Sequence, residues 1–200
     1  MILLGHNGAG KSTLINYLLG FYPSHSSHPY LPTLSENAPK IELSSVGYAP
    51  EAALLDGGLC ADDYFELLAK NKGIKQYDTA TEIAKVGLIV EPKQKIKKYS
   101  KGMKQRLLLS LALFGSPRTV ILDEPTSGLD PFGKEEIEAY LLGLKDDMDF
   151  IVSTHSLEFA YKMQKEIWIL KEGGVAYKGF PSSLEELKNI FSMHRPKGNI

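Results

Sequence analysis

Short apolar runs bounded by glycine or proline alternate along this chain with longer stretches whose apolar residues recur every three to four positions, a pattern that predicts an α/β fold. Ile2 to Leu4 reads as a strand entering a glycine-rich turn, and Lys11 to Leu19 as the helix after it. Phe21 to Pro39 holds four prolines and a Ser/His-rich turn, so it is mostly loop. A strand at Val46-Gly47-Tyr48 ends in Ala49-Pro50-Glu51. Ala61 to Lys70 and Thr79 to Val86 have helical spacing, and Lys101 to Phe114 sets Met103, Leu107, Leu111 and Phe114 on one face. Val120-Ile121-Leu122 and Phe150 to Ser153 read as buried strands. Glu166 to Leu170 and Val175 to Tyr177, joined by Glu172-Gly173-Gly174, read as a hairpin. Ser183 and Glu186 have capping-box spacing ahead of a last short helix, with fraying expected after about Phe191.

Composition narrows the class. Two hundred residues with 43% hydrophobic content suit one compact domain with a substantial core. Lys and Arg total 23 against 24 acids, so no basic field points to nucleic acid as the main partner. The local cluster of Lys93, Lys95, Lys97, Lys98, Lys101, Lys104 and Arg106 is better read as a solvated face. Cys60 stands alone, which excludes a disulfide framework and suggests a reducing compartment. No signal peptide is visible, and the longest apolar stretch, Leu107 to Phe114, is far short of the ~20 residues that span a bilayer.

The chemistry begins at Gly5-His6-Asn7-Gly8-Ala9-Gly10-Lys11-Ser12-Thr13. Glycines at this spacing let successive backbone N–H groups point inward as a nest for phosphates, and the helix that follows aims its N-terminal dipole at the same anion. Lys11 adds a charge for the β- and γ-phosphates, and Ser12 a hydroxyl for Mg²⁺. Asp123 and Glu124 end an apolar run, where a buried strand delivers carboxylates to its edge. Asp123 would hold Mg²⁺ through water and Glu124 could polarise the attacking water.

With these motifs, the chain resembles the ATP-binding subunit of ABC transporters over nearly its whole length. Tyr99-Ser100-Lys101-Gly102-Met103-Lys104-Gln105-Arg106 looks like the ABC signature, Leu122-Asp123-Glu124-Pro125-Thr126 like the Walker B strand, and Ser127-Gly128-Leu129-Asp130 like the D-loop. Thr154-His155 looks like the switch-histidine segment. The resemblance implies a P-loop NTPase with a RecA-like parallel-sheet core (residues 1–51 and 113–200) and an ABC-type helical subdomain (52–112). It implies ATP and Mg²⁺ as cofactors, transmembrane transporter subunits as partners, and a place on the inner face of the cell membrane.

It also implies roles. Glu124 is the general base, while His155 contacts the γ-phosphate and steadies Glu124 and the water. Ser12, Asp123 and Glu51 are the metal-side groups, Glu51 standing where many members carry Gln. Ser100, Lys101, Gly102 and Met103 act in trans on ATP held by a second cassette, as homodimer or heterodimer. Lys101 replaces the usual first glycine of the signature, and either adds charge near that phosphate or faces solvent. Asp130 either crosses the dimer interface or caps the helix opened by Pro131. Tyr48-Ala49-Pro50-Glu51 looks most like exporter-type subunits, and Leu54, Leu55, Tyr64 and Phe65 line either a groove for a transporter helix or the core. His25 and His28 have half the spacing of a metal site, but no completing cluster. Met1 to Leu4 leave no room for the family's antiparallel β-subdomain with its adenine-stacking aromatic, so an N-terminally truncated, fragmentary or degenerate cassette with weak ATP binding and little hydrolysis alone is expected, or one whose cover a partner chain supplies. The alternatives are a soluble ABC ATPase and a non-catalytic cassette.

Overall fold

The computed structural model describes residues 1–22, 38–52 and 55–194. In chain order these form β1 (Ile2–Leu4), α1 (Lys11–Leu18), β2 (Val46–Ala49), α2 (Ala61–Lys72), α3 (Thr79–Ala84), α4 (Lys101–Leu113), β3 (Thr119–Asp123), α5 (Pro131–Gly143), β4 (Asp149–Ser153), α6 (Leu157–Lys162), β5 (Ile167–Lys171), β6 (Gly174–Gly179) and α7 (Leu184–Met193). They gather into two compact units, Met1–Ser44 with Phe150–Ile200, and Ser45–Asp149.

In the first unit, β1 consists of Ile2, Leu3 and Leu4, none of them exposed, as expected of a strand covered on both faces. It pairs in parallel with β4, Leu3 opposite Ser153, and with β5, Leu3 opposite Trp168. The hairpin expected after Glu166 is present as antiparallel β5 and β6, with an irregularity at Ile169/Leu170. α6 packs on β1 and on α7. Helix α7 opens as predicted at Ser183, whose Oγ accepts from Glu186 N at 3.0 Å. The return half of the box is displaced by one residue: the Glu186 carboxylate accepts from Ser182 N at 2.7 Å and from Ser182 Oγ. Ser182 offers that carboxylate two donors at once, and these bonds hold it below the usual carboxylate range. The helix persists to Met193, two residues past the expected onset of fraying.

The second unit is built on β2 and β3, parallel, with Ala49 opposite Leu122. Against β2 lies α4, and the approach is so close that a Cβ at Gly47 would stand 1.7 Å from the Ala112 carbonyl oxygen. The one-sided apolar face expected of α4 is not what the fold uses. Leu107, Leu108, Leu109 and Ala112 are buried together with Gln105 and Ser110, whereas Met103 and Leu111 are half-buried. A helix packed between a strand on one side and α2 and α3 on the other is enclosed nearly all round, so its amphipathic signal fades. Phe65 of α2 is fully buried and meets Phe114 edge-to-face at 5.0 Å, which assigns it to the core. Tyr64 accepts from Asp56 N at 2.9 Å through its hydroxyl. Leu54, His25 and His28 lie outside the described residues.

Candidate nucleotide-binding site

In the first unit, the strand-turn-helix around Gly5 has the conformation that its residues predict. Gly8 and Gly10 take φ of 79° and 106°, left-handed values open to glycine at little cost, and they reverse the chain between β1 and α1. Around Gly8 a Cβ would meet nothing within 4 Å, so this part of the cradle is open. At Gly5 the position is opposite in character: a Cβ would sit 2.7 Å from Leu170 O. The N-cap of α1 is Gly10, which supplies no side-chain hydrogen bond, and the first turn holds no acid. The first N–H groups of α1 therefore keep their dipole and lack a capping side chain. Lys11 is buried, and its Nζ donates to Gly5 O at 2.8 Å and His6 O at 3.5 Å, which holds the ammonium on the turn itself. Ser12 is exposed and Thr13 half-buried.

The β1–β4 register puts the switch-histidine segment beside this turn. Thr154 N donates to Leu3 O at 3.1 Å, continuing the pairing of Leu3 with Ser153. Thr154 is buried, its Oγ1 accepts from Ser156 N at 3.1 Å, and His155 between them is exposed. On the other flank, Gly173 N at the hairpin turn donates to Ala9 O at 3.1 Å.

In the second unit the parallel pairing of β2 and β3 brings their C-terminal ends together, and with them Glu51, Asp123 and Glu124. Asp123 and Glu124 are buried, Glu51 exposed. Glu124 adopts φ of 48°, a strained value for a side chain of this size and the kind of cost found where a group must be aimed. Ser127 Oγ donates to Glu51 Oε1 at 3.4 Å, joining the D-loop to the end of β2. The Tyr48 phenol is pushed up to about 12, first by burial and then by the negative charge of Asp123.

The signature segment lies at the start of α4. Ser100 is its N-cap: Oγ accepts from Met103 N at 3.2 Å. The stem of Lys101 runs across the D-loop, with Cε 2.5 Å from where a Cβ on Gly128 would be, so that glycine leaves room for the lysine. Gly102 faces Leu129, whose Cδ2 would be 3.1 Å from an added Cβ. Asp130 caps α5, accepting from Gly133 N at 2.9 Å through Oδ1. Sequence reasoning did not anticipate Arg106 as a brace. Its Nη1 donates to Val86 O at 2.6 Å and its Nη2 to Glu136 Oε2 at 2.8 Å, holding α4 to the end of α3 and to α5.

A family model described as ABC transporter matches residues 1–127. The chain belongs to this family. It is 34% identical over 200 residues to the uncharacterized ABC transporter ATP-binding protein YxlF of Bacillus subtilis (strain 168), covering 96% of this chain and 65% of that protein. It is 31% identical over 191 residues to the lantibiotic transport ATP-binding protein SrtF of Streptococcus pyogenes, covering 95% of this chain and 82% of that one. Among solved structures, an ATP-binding subunit of an ABC transporter superposes with a TM-score of 0.71 at 26% identity, covering 96% of this chain and 88% of that one. The fold is that of the α/β P-loop ABC cassettes.

The residues present fit the cofactors of the family. An uncapped helix start, an open cradle at Gly8 and a buried ammonium on the turn suit a polyphosphate. Among the described residues no group of three or more His, Cys, Asp or Glu could hold a metal unaided. Mg²⁺ needs no such cage, since it binds through one or two carboxylates together with substrate phosphates, and a hydroxyl and carboxylates are the hard oxygens it takes. No helix among the described residues is long and apolar enough to cross a membrane.

Proposed function

We propose that this cassette binds and hydrolyses Mg-ATP, and that it does so paired with a second cassette to power an export-class membrane transporter from the cytoplasmic side. The observation that carries the reading is the start of α1, where left-handed glycines, uncapped N–H groups and the Lys11 ammonium converge on one turn. Gly5, His6, Asn7, Gly8, Ala9, Gly10, Ser12 and Thr13 would wrap the phosphates, with Lys11 neutralising charge as it develops on the transferred group. Mg²⁺, when bound, supplies charge neutralisation at the phosphates, and Ser12, Asp123 and Glu51 would hold it.

Phosphoryl transfer to water asks mainly for in-line positioning, and Glu124 would take the proton of the attacking water. His155, at the end of β4, would contact the γ-phosphate and help to orient that water. Ser100, Lys101, Gly102 and Met103 would complete the site of a neighbouring cassette with a helix N-terminus. Asp130 would belong to the surface between the two cassettes while keeping its cap on α5. The segment 52–112 would act as the helical subdomain that meets transmembrane subunits, and Tyr48-Ala49-Pro50-Glu51 favours the exporter branch.

Glu124→Gln tests the reading. Hydrolysis should fall by ~10²-fold or more while nucleotide binding persists. Near wild-type hydrolysis would remove Glu124 from the mechanism, and co-purification from membranes identifies the transmembrane partner.

A further inference from the structure

We infer that Phe191 of the C-terminal helix is a positioning residue for the phosphate loop, acting through the ring of His6; the inference rests on the nucleotide-binding reading of that loop. His6 follows Gly5 directly, and its carbonyl accepts from Ala9 N at 3.1 Å and from Lys11 Nζ at 3.5 Å. The place of its side chain is thus tied to the backbone that forms the nest. Its ring stacks on Phe191, with centroids 5.4 Å apart and planes at 29°. His6 Nε2 is buried and makes no hydrogen bond among the described residues, so packing rather than a polar contact holds that edge of the ring.

Helix α7 can bear this load because it is fixed independently of the loop. Ser183 caps its start, Tyr161 Oη donates to Ser182 O at 3.1 Å, and Leu187 is fully buried. Leu187 and Phe191 are four residues apart and share one helix face, so burial of the first aims the second. The loop is also tied through Ala9 O, which accepts from Gly173 N at 3.1 Å. Beside it lies a cavity of about 170 Å³ lined by His6, Asn7, Gly8, Leu170 and Glu172 among others. A loop with open space at its side is free to relax when a clamp is removed, and a nest that must re-form on binding loses affinity. The aromatic at 191 therefore sets how well the N–H groups are preorganised for phosphate, without touching the nucleotide.

The test uses the full chain, Mg-ADP titration by calorimetry and amide hydrogen exchange without nucleotide. Phe191→Ala and His6→Ala should each weaken Mg-ADP binding about 2- to 10-fold, the range of one aromatic pair. The double variant should be no worse than the weaker single one, and Phe191→Tyr should restore affinity. Amides from His6 to Ser12 should exchange faster in Phe191→Ala while those of α1 beyond Leu14 keep their protection. If Phe191→Ala melts α7, Phe191→Leu preserves apolar volume without a ring face and should still loosen the loop. Unchanged affinity and exchange, or additive losses in the double variant, would overturn the inference. A wild-type chain that binds no Mg-ADP would instead defeat the nucleotide reading, and the exchange data would still decide whether the clamp exists.

Discussion

Two helices of this cassette begin at glycine-bearing turns, and they begin differently. α1 starts after Gly10 with no side-chain cap and no acid in its first turn. α4 also lacks an acid there, but its N-cap Ser100 already accepts from Met103 N. The first start is built to stay open, so an anion arriving there displaces no cap. The second is self-satisfied: a phosphate meeting Ser100 competes with a hydrogen bond that stabilises the helix. That contrast suits a primary nucleotide site and a secondary one engaged only when a neighbour presents its γ-phosphate.

The sharpest way to break the contrast is to crowd each turn with one methyl group. Gly5→Ala must adopt φ of 156° and place Cβ 2.7 Å from a backbone oxygen that cannot swing away. We expect a loss of about 3 kcal/mol or more in denaturant unfolding. Gly102→Ala instead meets the movable end of Leu129 and gains at most roughly 0.8–1 kcal/mol of helix propensity, being in the first turn, so its stability should change by less than about 1 kcal/mol. Equal losses at both positions would mean that the P-loop is no more tightly built than the signature. Next in size is Ser100→Ala, which should cost about 1 kcal/mol as a lost N-cap, measured by thermal or urea unfolding. No loss would mean that Ser100 is not acting as a cap.

The smallest effect concerns acid. α2, α3 and α7, unlike α1 and α4, carry acids in their first turns, and Asp63, Asp78 and Glu186 at their starts all titrate below their ordinary values. The leading causes are the hydrogen bonds from Cys60, Thr81 and Ser182. A depressed folded pKa contributes stability that is present above the unfolded value and lost as pH falls through the folded one. Below their ordinary values of 3.8 and 4.5, amides at the starts of α2, α3 and α7 should lose exchange protection before those of α1 and α4. Simultaneous loss in all five would show that these carboxylates do not act locally.

How much of this could be read from residues alone depended on range. The P-loop, the β3 acids, the Ser100 and Asp130 caps and the β5–β6 hairpin are written in neighbouring positions, where turn chemistry and strand patterns are local. The burial of Gln105 and Ser110 was not legible, because enclosure of α4 erases the periodicity that reports a buried face. Lys101 across Gly128, Arg106 on Val86 and Glu136, and Phe191 on His6 join residues distant in sequence with no pattern linking them. Lys101 shows the difference well. Its departure from the family glycine was visible at once, but only the fold supplied its contact on the D-loop.

The central claim, that the open start of α1 is where nucleotide phosphates bind, is tested most directly by amide NMR of the chain titrated with Mg-ADP to millimolar concentration. The account predicts saturable shifts concentrated on Gly8, Gly10, Lys11, Ser12 and Thr13, abolished by Lys11→Ala, with the Ser100 and Met103 amides unmoved in the isolated chain. Shifts centred on the start of α4, or a titration that Lys11→Ala leaves unchanged, would contradict it.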